Sequence, residues 1–190
     1  MDIGVIVAIV VVVVLLAALG LYLWSSYHSL VALKGRVDEG WNDLHTEIGQ
    51  RAALVPNIVD TVRKYATHER GVFEAIERAR TETVEANEPA TASQAESHMQ
   101  QAIRGVFSTA ESFPQLQVSP AFLDLQSALV ESEDRIQASR RFYNGGAREF
   151  NARIQTFPNK LFAKRLGFTH RDFFEAGESA AIAQPPKVQF

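Results

Sequence analysis

Residues 3–24 form an unbroken apolar run without a charged side chain, and the next charge after it is Lys34. A helix rises about 1.5 Å per residue, so this run would cover roughly 33 Å, enough to cross a hydrocarbon core about 30 Å thick. No other feature constrains the fold as strongly, because whatever follows this segment has to fold beside a bilayer. The sequence therefore predicts a transmembrane anchor over residues 1–26.

A cleaved signal peptide is the alternative interpretation of this run. The apolar part of such a peptide usually has only about 7–15 residues, follows a basic segment and ends at a small-x-small cleavage site. Here only Asp2 precedes the run, and residues 21–24 stand where the cleavage site would be. Tyr22, Trp24 and Tyr27 suit the headgroup zone, because each ring has an apolar body and a polar tip. We therefore predict a retained anchor with these three residues at the membrane interface.

Orientation in the membrane follows from basic residues near the ends of the span. Lys34 and Arg36 lie on its C-terminal side, whereas the N-terminal side offers only the α-amino group and Asp2. This asymmetry predicts a single-pass protein of the cell membrane, with the N-terminus outside and the body in the cytoplasm.

The body that follows the anchor has the length of one domain. The chain carries 19 Lys+Arg and 22 Asp+Glu, a near balance that offers no reason to expect nucleic acid as a partner. There are no cysteines, so disulfides and thiolate chemistry are excluded. Long stretches lack the alternating pattern of strands, and the predicted fold class is all-α.

Apolar residues spaced three and four apart predict four helices after the anchor. The first continues directly out of the membrane segment. Pro56 is expected to end it at a turn near residues 53–56, because proline has no N–H to donate and disfavours helical angles in the residue before it. The second helix is expected to run from Pro56 to about Ala86.

The third helix is expected to begin at the overlapping capping patterns of Thr91 and Ser93 and to end before Pro114. The fourth begins with a cap and a first-turn proline, Ser119-Pro120, and continues to about Phe157. It is the longest of the four predicted helices of the body.

Four helices with short connections pack most simply as an up-and-down bundle of long antiparallel helices. We predict this four-helix bundle over residues 27–175, after the transmembrane helix. The apolar stripes predict that four large side chains are buried in its core: Trp41, Leu129, Ile136 and Phe150.

After Pro158 the chain has short apolar patches among charged residues. Four phenylalanines in this segment are predicted to cover an open end of the bundle: Phe162, Phe168, Phe173 and Phe174. Contact with a partner or with the membrane surface is the alternative, since clustered exposed aromatics mark interaction sites. Residues 176–190 are expected to form a flexible tail.

Several short motifs stand in a fixed order along residues 27–190. They are Trp41, residues 54–59, 65–69 and 79–80, then Phe113-Pro114, residues 122–126, 141–144, Asn151, Phe157-Pro158, Gly167-Phe168 and residues 185–190. In this order and spacing they resemble the LemA family of membrane-anchored bacterial and archaeal proteins. The resemblance implies one membrane helix followed by an up-and-down four-helix bundle. It brings no reaction, because the family has no established enzymatic activity.

Motifs for catalysis are missing from the sequence. Helical bundles often hold two metal ions between glutamates and Glu-x-x-His pairs, but none of the five histidines has a glutamate three positions before it. His68-Glu69 lacks the second histidine of a zinc-protease helix, since Val72 stands at that position. There is also no Gly-x-Ser-x-Gly elbow and no phosphate-binding glycine loop. We therefore predict no catalytic, metal-binding or cofactor-binding residues, and no cofactor.

Tyr143, Asn144 and Asn151 are the polar residues that stand out on the fourth helix. The seven-residue offset between the two asparagines puts both amides on one face, two turns apart. Buried amides need hydrogen-bond partners. The predicted role is a structural layer that fixes the register of the helices, and the alternative is recognition of an extended peptide along this face.

The predicted function is that of a non-catalytic adaptor or scaffold that presents its bundle to an unidentified protein partner at the membrane. Its other contact is the lipid bilayer, through residues 3–24, and a homo-oligomer is left open. One alternative is a membrane-associated hydrolase with carboxylates assembled from different helices. The other is a membrane-shaping or lipid-surface protein. For that alternative a small group of basic residues lies near Phe162 and Phe168: Lys160, Lys164, Arg165 and Arg171.

Overall fold

The computed structural model describes residues 3–175, and all regular elements in this range are helical. In chain order they are α1 (Ile3–Arg63), α2 (Arg70–Glu85), α3 (Pro89–Glu111), α4 (Pro114–Gln117), α5 (Pro120–Gln155), α6 (Asn159–Phe162) and a 3₁₀ helix (Lys164–Leu166). The predicted all-α class is confirmed for this part of the chain. The tail predicted for residues 176–190 lies outside the described residues.

The apolar run forms the first part of α1, and its described side chains are exposed except that of Leu23, which is half-buried. By length and composition α1 can cross a membrane, and it is the one helix with this property between residues 3 and 175. Large apolar side chains that face water on every side of a helix are unfavourable, at roughly 25 cal/mol for each Å² of apolar surface. The structure therefore supplies a helix for the predicted span.

The turn predicted near residues 53–56 is wrong, because α1 continues through Pro56 to Arg63. A proline inside a helix costs about 3 kcal/mol. However, Val55, Ile58 and Val62 beside it are almost completely buried, and burying each such side chain contributes about 1.5–3 kcal/mol. Packing of this part of α1 therefore outweighs the cost of the proline.

The other helices begin and end at residues that differ from the predicted ones, most strongly for α2 and least for α5. Because α1 extends to Arg63, α2 begins at Arg70 instead of Pro56. The next helix, α3, begins at Pro89, and Thr91 caps it from within the first turn by accepting a hydrogen bond from Glu88 N–H at 3.4 Å. The predicted fourth helix corresponds to α5, which begins at the expected proline and ends just before the expected residue.

Two compact units can be distinguished within the described residues. One comprises residues 3–39 and 145–171, and the other comprises residues 40–144 and 172–175. The core of the second unit draws apolar residues from α1 to α5, including Ala52, Val55, Ile58, Val62, Phe73, Ile76, Met99, Val106, Leu116, Phe122 and Leu129. Leu129, Ile136 and Phe150 are buried as predicted, whereas Trp41 is only half-buried.

The first unit closes around aromatic residues of α1, α5 and the segment after α5. The ring of Phe168 lies 5.9 Å from that of Tyr27 and 6.3 Å from that of Phe150, measured between centroids. A Cβ atom on Gly146 would lie 3.4 Å from Val37 Cγ2, so α5 comes close to α1 at this glycine. Of the four phenylalanines expected to be covered, Phe168 and Phe174 are buried and Phe162 and Phe173 are half-buried.

Candidate functional site

Tyr143 and Asn144 bind a non-helical part of the chain through its backbone. The side-chain amide of Asn144 donates to the carbonyl oxygen of Phe174 and accepts from the Phe174 N–H, both at 2.9 Å. The Tyr143 hydroxyl donates to the carbonyl oxygen of Asp172 at 2.6 Å. Because the Phe174 side chain is also buried, the segment is held by one ring as well as by its main chain.

Asn151 makes an equivalent pair in the unit formed by residues 3–39 and 145–171. Its amide donates to the carbonyl oxygen of Arg171 and accepts from the Arg171 N–H, both at 2.8 Å. The Arg171 guanidinium in turn donates to Asp38 Oδ1 at 2.5 Å. Asn151 is buried, and leaving a buried polar group unpaired costs about 1–3 kcal/mol. These hydrogen bonds therefore account for a buried amide on α5.

All three predicted polar residues thus bond to main-chain groups of residues 171–174. An amide that binds both the N–H and the carbonyl of one residue recognises backbone and carries little information about the side chain. A structural layer and a peptide-binding face would both use this chemistry. The hydrogen-bond partners of Tyr143, Asn144 and Asn151 are therefore identified, whereas the role of these three residues stays a prediction.

A buried ionic network around Arg51 is the main feature that the sequence motifs missed. Arg51 of α1 is 1% exposed and forms salt bridges with Glu96 of α3 and, at 3.0 Å, with Glu133 of α5. The second oxygen of each carboxylate accepts from a glutamine one turn later, Gln100 at 2.9 Å and Gln137 at 2.6 Å. All four carboxylate oxygens therefore accept a hydrogen bond.

A sequence signal for this network exists, although it is weak. Arg51 lies on the same helical face as Ile48 and Val55, which are both buried, so a charge interrupts an apolar stripe. Glu96 has a glutamine four residues later, and so does Glu133. Buried charges are rare unless they are paired. The stripe position of Arg51 could have indicated a paired arginine, but its partners lie far away in the sequence.

A cavity of about 600 Å³ lies beside the network, with Arg51 and Glu133 in its lining. Much of the remaining wall is apolar, from Ile103, Phe107, Phe122, Leu129 and Val130. Its volume falls in the range of small-molecule sites, about 300–1,000 Å³. General acid–base catalysis needs a titratable group directed at the substrate. The carboxylates of Glu96 and Glu133 are instead bonded to Arg51 and to glutamine amides.

No group of three or more His, Cys, Asp or Glu side chains in residues 3–175 is arranged to hold a metal ion. Two histidines have other partners, since His98 Nδ1 lies 2.6 Å from Glu82 Oε2 and His45 Nε2 lies 3.2 Å from the carbonyl oxygen of Ala86.

The aromatic residues predicted at the membrane interface lie on α1 at the end of the apolar run. Tyr22, Trp24 and Tyr27 are all exposed. The ring of Trp24 packs edge-on against His28, with centroids 4.8 Å apart, and Tyr27 contacts Phe168 in the same unit. Exposed rings beside an apolar helix are compatible with headgroup contact, and the interface role of the three residues stays a prediction.

These features define a class of protein: an all-helical body that follows one long apolar N-terminal helix able to span a membrane. Residues 40–190 match the LemA family. The chain belongs to the LemA family, as the order of its motifs predicted.

Three relatives share recognisable sequence with the chain. Magnetosome proteins MamQ 1 and MamQ 2 of Paramagnetospirillum magneticum are each 24% identical over 185 residues, which covers 82% of this chain and 68% of theirs. Protein LemA of Metamycoplasma hominis is 26% identical over 130 residues, which covers 68% of this chain and 59% of that protein.

Proposed function

We propose that this chain is a single-pass membrane protein whose helical body binds other proteins without catalysing a reaction. The observation that carries the proposal is the exposed apolar run at the start of α1, which continues without a break into a helical body. Membership of the LemA family supports the same architecture. The body would then act as an adaptor or scaffold at the bilayer surface.

The proposed layout of the body is an up-and-down four-helix bundle made by α1, α2, α3 and α5. Two sets of contacts within residues 40–144 support it. Arg51 joins α1 to α3 and α5 through Glu96 and Glu133. Glu82 of α2 contacts His98 of α3. The proposed orientation, with the body in the cytoplasm, rests on the basic residues that follow the span.

The second hypothesis for the function of the body is that it is a hydrolase. The cavity beside Glu133 is the observation that favours this hypothesis. The hydrogen bonds on both Glu133 oxygens favour a structural role for this residue over a catalytic one. One measurement distinguishes the hydrolase from the non-catalytic adaptor. A hydrolase would cleave a phosphoester or peptide substrate, and Glu133→Gln would abolish that cleavage while the protein stayed folded.

Photo-crosslinking in native membranes tests the binding function directly. A photoreactive residue is placed in turn at Val84, Val118 and Leu123, which are exposed apolar positions of the body, and adducts are identified by mass spectrometry. The same positions are tested in a chain whose residues 3–24 are replaced by an unrelated transmembrane helix. We expect one recurring protein adduct in both versions.

The other outcomes have distinct meanings. Adducts between two copies of the chain would identify a homo-oligomer as the binding state. A recurring adduct that disappears with the foreign span would assign binding to the anchor. Absence of any recurring adduct at all three positions would contradict the adaptor proposal.

A further inference from the structure

The segment that follows α5 carries an apolar and basic surface. Phe157, Leu161 and Leu166 are 69%, 64% and 53% exposed. Three exposed cations lie among them in the sequence: Lys160, Lys164 and Arg165. These six residues are called the basic apolar surface below. None of its three cations forms an ion pair within residues 3–175, and residues 157–171 contain no acidic side chain.

This surface lies beside the end of the membrane helix, within the unit formed by residues 3–39 and 145–171. Ser26 Oγ donates a hydrogen bond to Asn159 Oδ1, and Asn159 is buried at the start of α6. Ser26 follows Trp24 by two residues, or about 3 Å along the helix axis. The headgroup layer of a bilayer is roughly 5–8 Å thick on each side. With residues 3–24 in the membrane, α6 therefore lies at the level of the headgroups.

The local backbone explains why the apolar side chains here divide between exposed and buried. Gly167 ends the 3₁₀ helix with φ +78°, a left-handed conformation that suits glycine. The chain changes direction at this residue. Leu166 before it is exposed, whereas Phe168 after it is buried against Tyr27 and Phe150. One aromatic ring thus fixes the segment to α1 and α5, and the leucines stay outside.

A shallow cavity adds room for a ligand next to the same cations. Its volume is about 460 Å³, and Lys160, Lys164, Ala163 and Phe168 are among its lining residues. Apolar walls combined with lysine ammonium groups suit a phospholipid, which presents an acyl chain below an anionic phosphate.

We infer that the basic apolar surface is a second membrane contact, specific for anionic phospholipids, an inference that rests on the membrane anchor proposed above. Phe157, Leu161 and Leu166 enter the headgroup layer, and the three cations bind lipid phosphates. Charge complementarity and continuity with the anchor both favour a lipid surface as the occupant.

The chain contains no cysteine, so a single introduced cysteine can carry an environment-sensitive fluorophore. Full-length protein with Leu161→Cys is reconstituted into vesicles of phosphatidylcholine and into vesicles of an equal mixture of phosphatidylcholine and phosphatidylglycerol. We expect a blue shift of the emission in the mixed vesicles and its loss at high salt. Phe157→Cys provides an independent second position, and Leu123→Cys on α5 is the matched exposed control that should show no shift.

Charge variants test specificity in the same vesicles. Lys160→Gln, Lys164→Gln and Arg165→Gln combined should abolish the blue shift at residue 161. Arg70→Gln, Arg78→Gln and Arg104→Gln combined remove three exposed cations elsewhere and should leave it intact. A label at residues 157 and 161 that emits as in water in both lipids overturns the inference. So does a blue shift that is equal in both lipids or unaffected by loss of the three cations.

A label at Val12→Cys separates this inference from the proposed anchor. If residue 12 reports a hydrocarbon environment while residue 161 stays in water, the anchor stands and the second contact is wrong. If residue 12 itself stays in water, the membrane anchor is wrong and the second contact falls with it.

Discussion

At the scale of single residues, Arg51 is the side chain whose burial costs the body the most free energy unless its charge is paired. The arginine and Glu96 are almost completely buried, at 1% and 0% exposure, and taking charges out of water is costly unless each one is paired. In the network, every carboxylate oxygen of Glu96 and Glu133 accepts a hydrogen bond, which offsets the cost of removing these charges from water. Removing Arg51 therefore leaves the buried Glu96 and the partly buried Glu133 without their counter-charge.

Arg51→Ala should lower the free energy of unfolding by about 3–5 kcal/mol, because two carboxylates lose their counter-charge. Arg135→Ala is the matched control. Arg135 also pairs with two glutamates, Glu47 and Glu131, but its side chain is 42% exposed, so its loss should cost at most about 1 kcal/mol. Urea unfolding of a protein that begins at Tyr27 measures both. Equal losses for the two variants would contradict the assigned role of the network.

Asn144→Ala should lower the free energy of unfolding by about 1–3 kcal/mol, because the N–H and carbonyl of Phe174 both lose their partner. Asn144→Asp keeps the acceptor and loses the donor, so it separates the two hydrogen bonds. The exposed Asn57→Ala should change stability by less than about 0.5 kcal/mol. If Asn144→Ala is as stable as the parent but loses its crosslinked partner, this face is a binding site and the structural role is wrong.

The sequence identified Tyr143, Asn144 and Asn151 but could not identify what they bind. Helical spacing alone puts the two amides on one face. Their partners are main-chain groups in residues 171–174, and a main chain leaves no mark in a sequence. Arg51 was missed for a different reason, because its partners Glu96 and Glu133 follow it by 45 and 82 residues.

At the scale of helices, local signals were reliable where no tertiary contact opposed them. Ser119-Pro120 predicted the start of α5, and the helix begins there. Pro56 gave an equally clear local signal for a helix end, and it was wrong. The penalty of a proline can be read in the sequence, whereas the burial of Val55, Ile58 and Val62 depends on residues of α2 to α5 in the same core.

Pro56→Ala tests whether α1 tolerates this proline at a cost. The alanine restores a backbone N–H and removes a clash, which should raise the free energy of unfolding by about 3 kcal/mol. The greater conformational freedom of the unfolded chain lowers this gain by about 0.4–1 kcal/mol. We expect a net gain in stability of about 1–3 kcal/mol in urea unfolding. Pro120→Ala at the first turn of α5 is the control, with little change or a small loss expected. An unchanged or lower stability of Pro56→Ala would show that the helix has already adapted to the proline.

At the scale of the whole molecule, one composition pattern dominates, because residues 3–24 are apolar and the rest of the chain is nearly balanced in charge. That pattern predicted a membrane helix and no nucleic-acid partner. It could not predict that the segment after α5 lies against α1 just beyond the apolar run, since the hydrogen bond of Ser26 with Asn159 joins residues 133 positions apart.

The proposed membrane anchor makes the broadest prediction. Each Leu, Ile or Val in a membrane span contributes about 0.3–0.6 kcal/mol to insertion, and such residues fill most of positions 3–24. The full-length protein should therefore stay in membranes through high-salt and alkaline washes, which remove proteins held by charge alone. A protein that begins at Tyr27 should be soluble and helical by circular dichroism. N-terminal sequencing of the membrane-bound form should find the apolar run still present. Recovery of the intact chain in the wash supernatant would exclude the anchor. A membrane-bound form that begins after residue 24 would indicate a signal peptide. A truncated protein without helical signal would show that the body cannot fold alone.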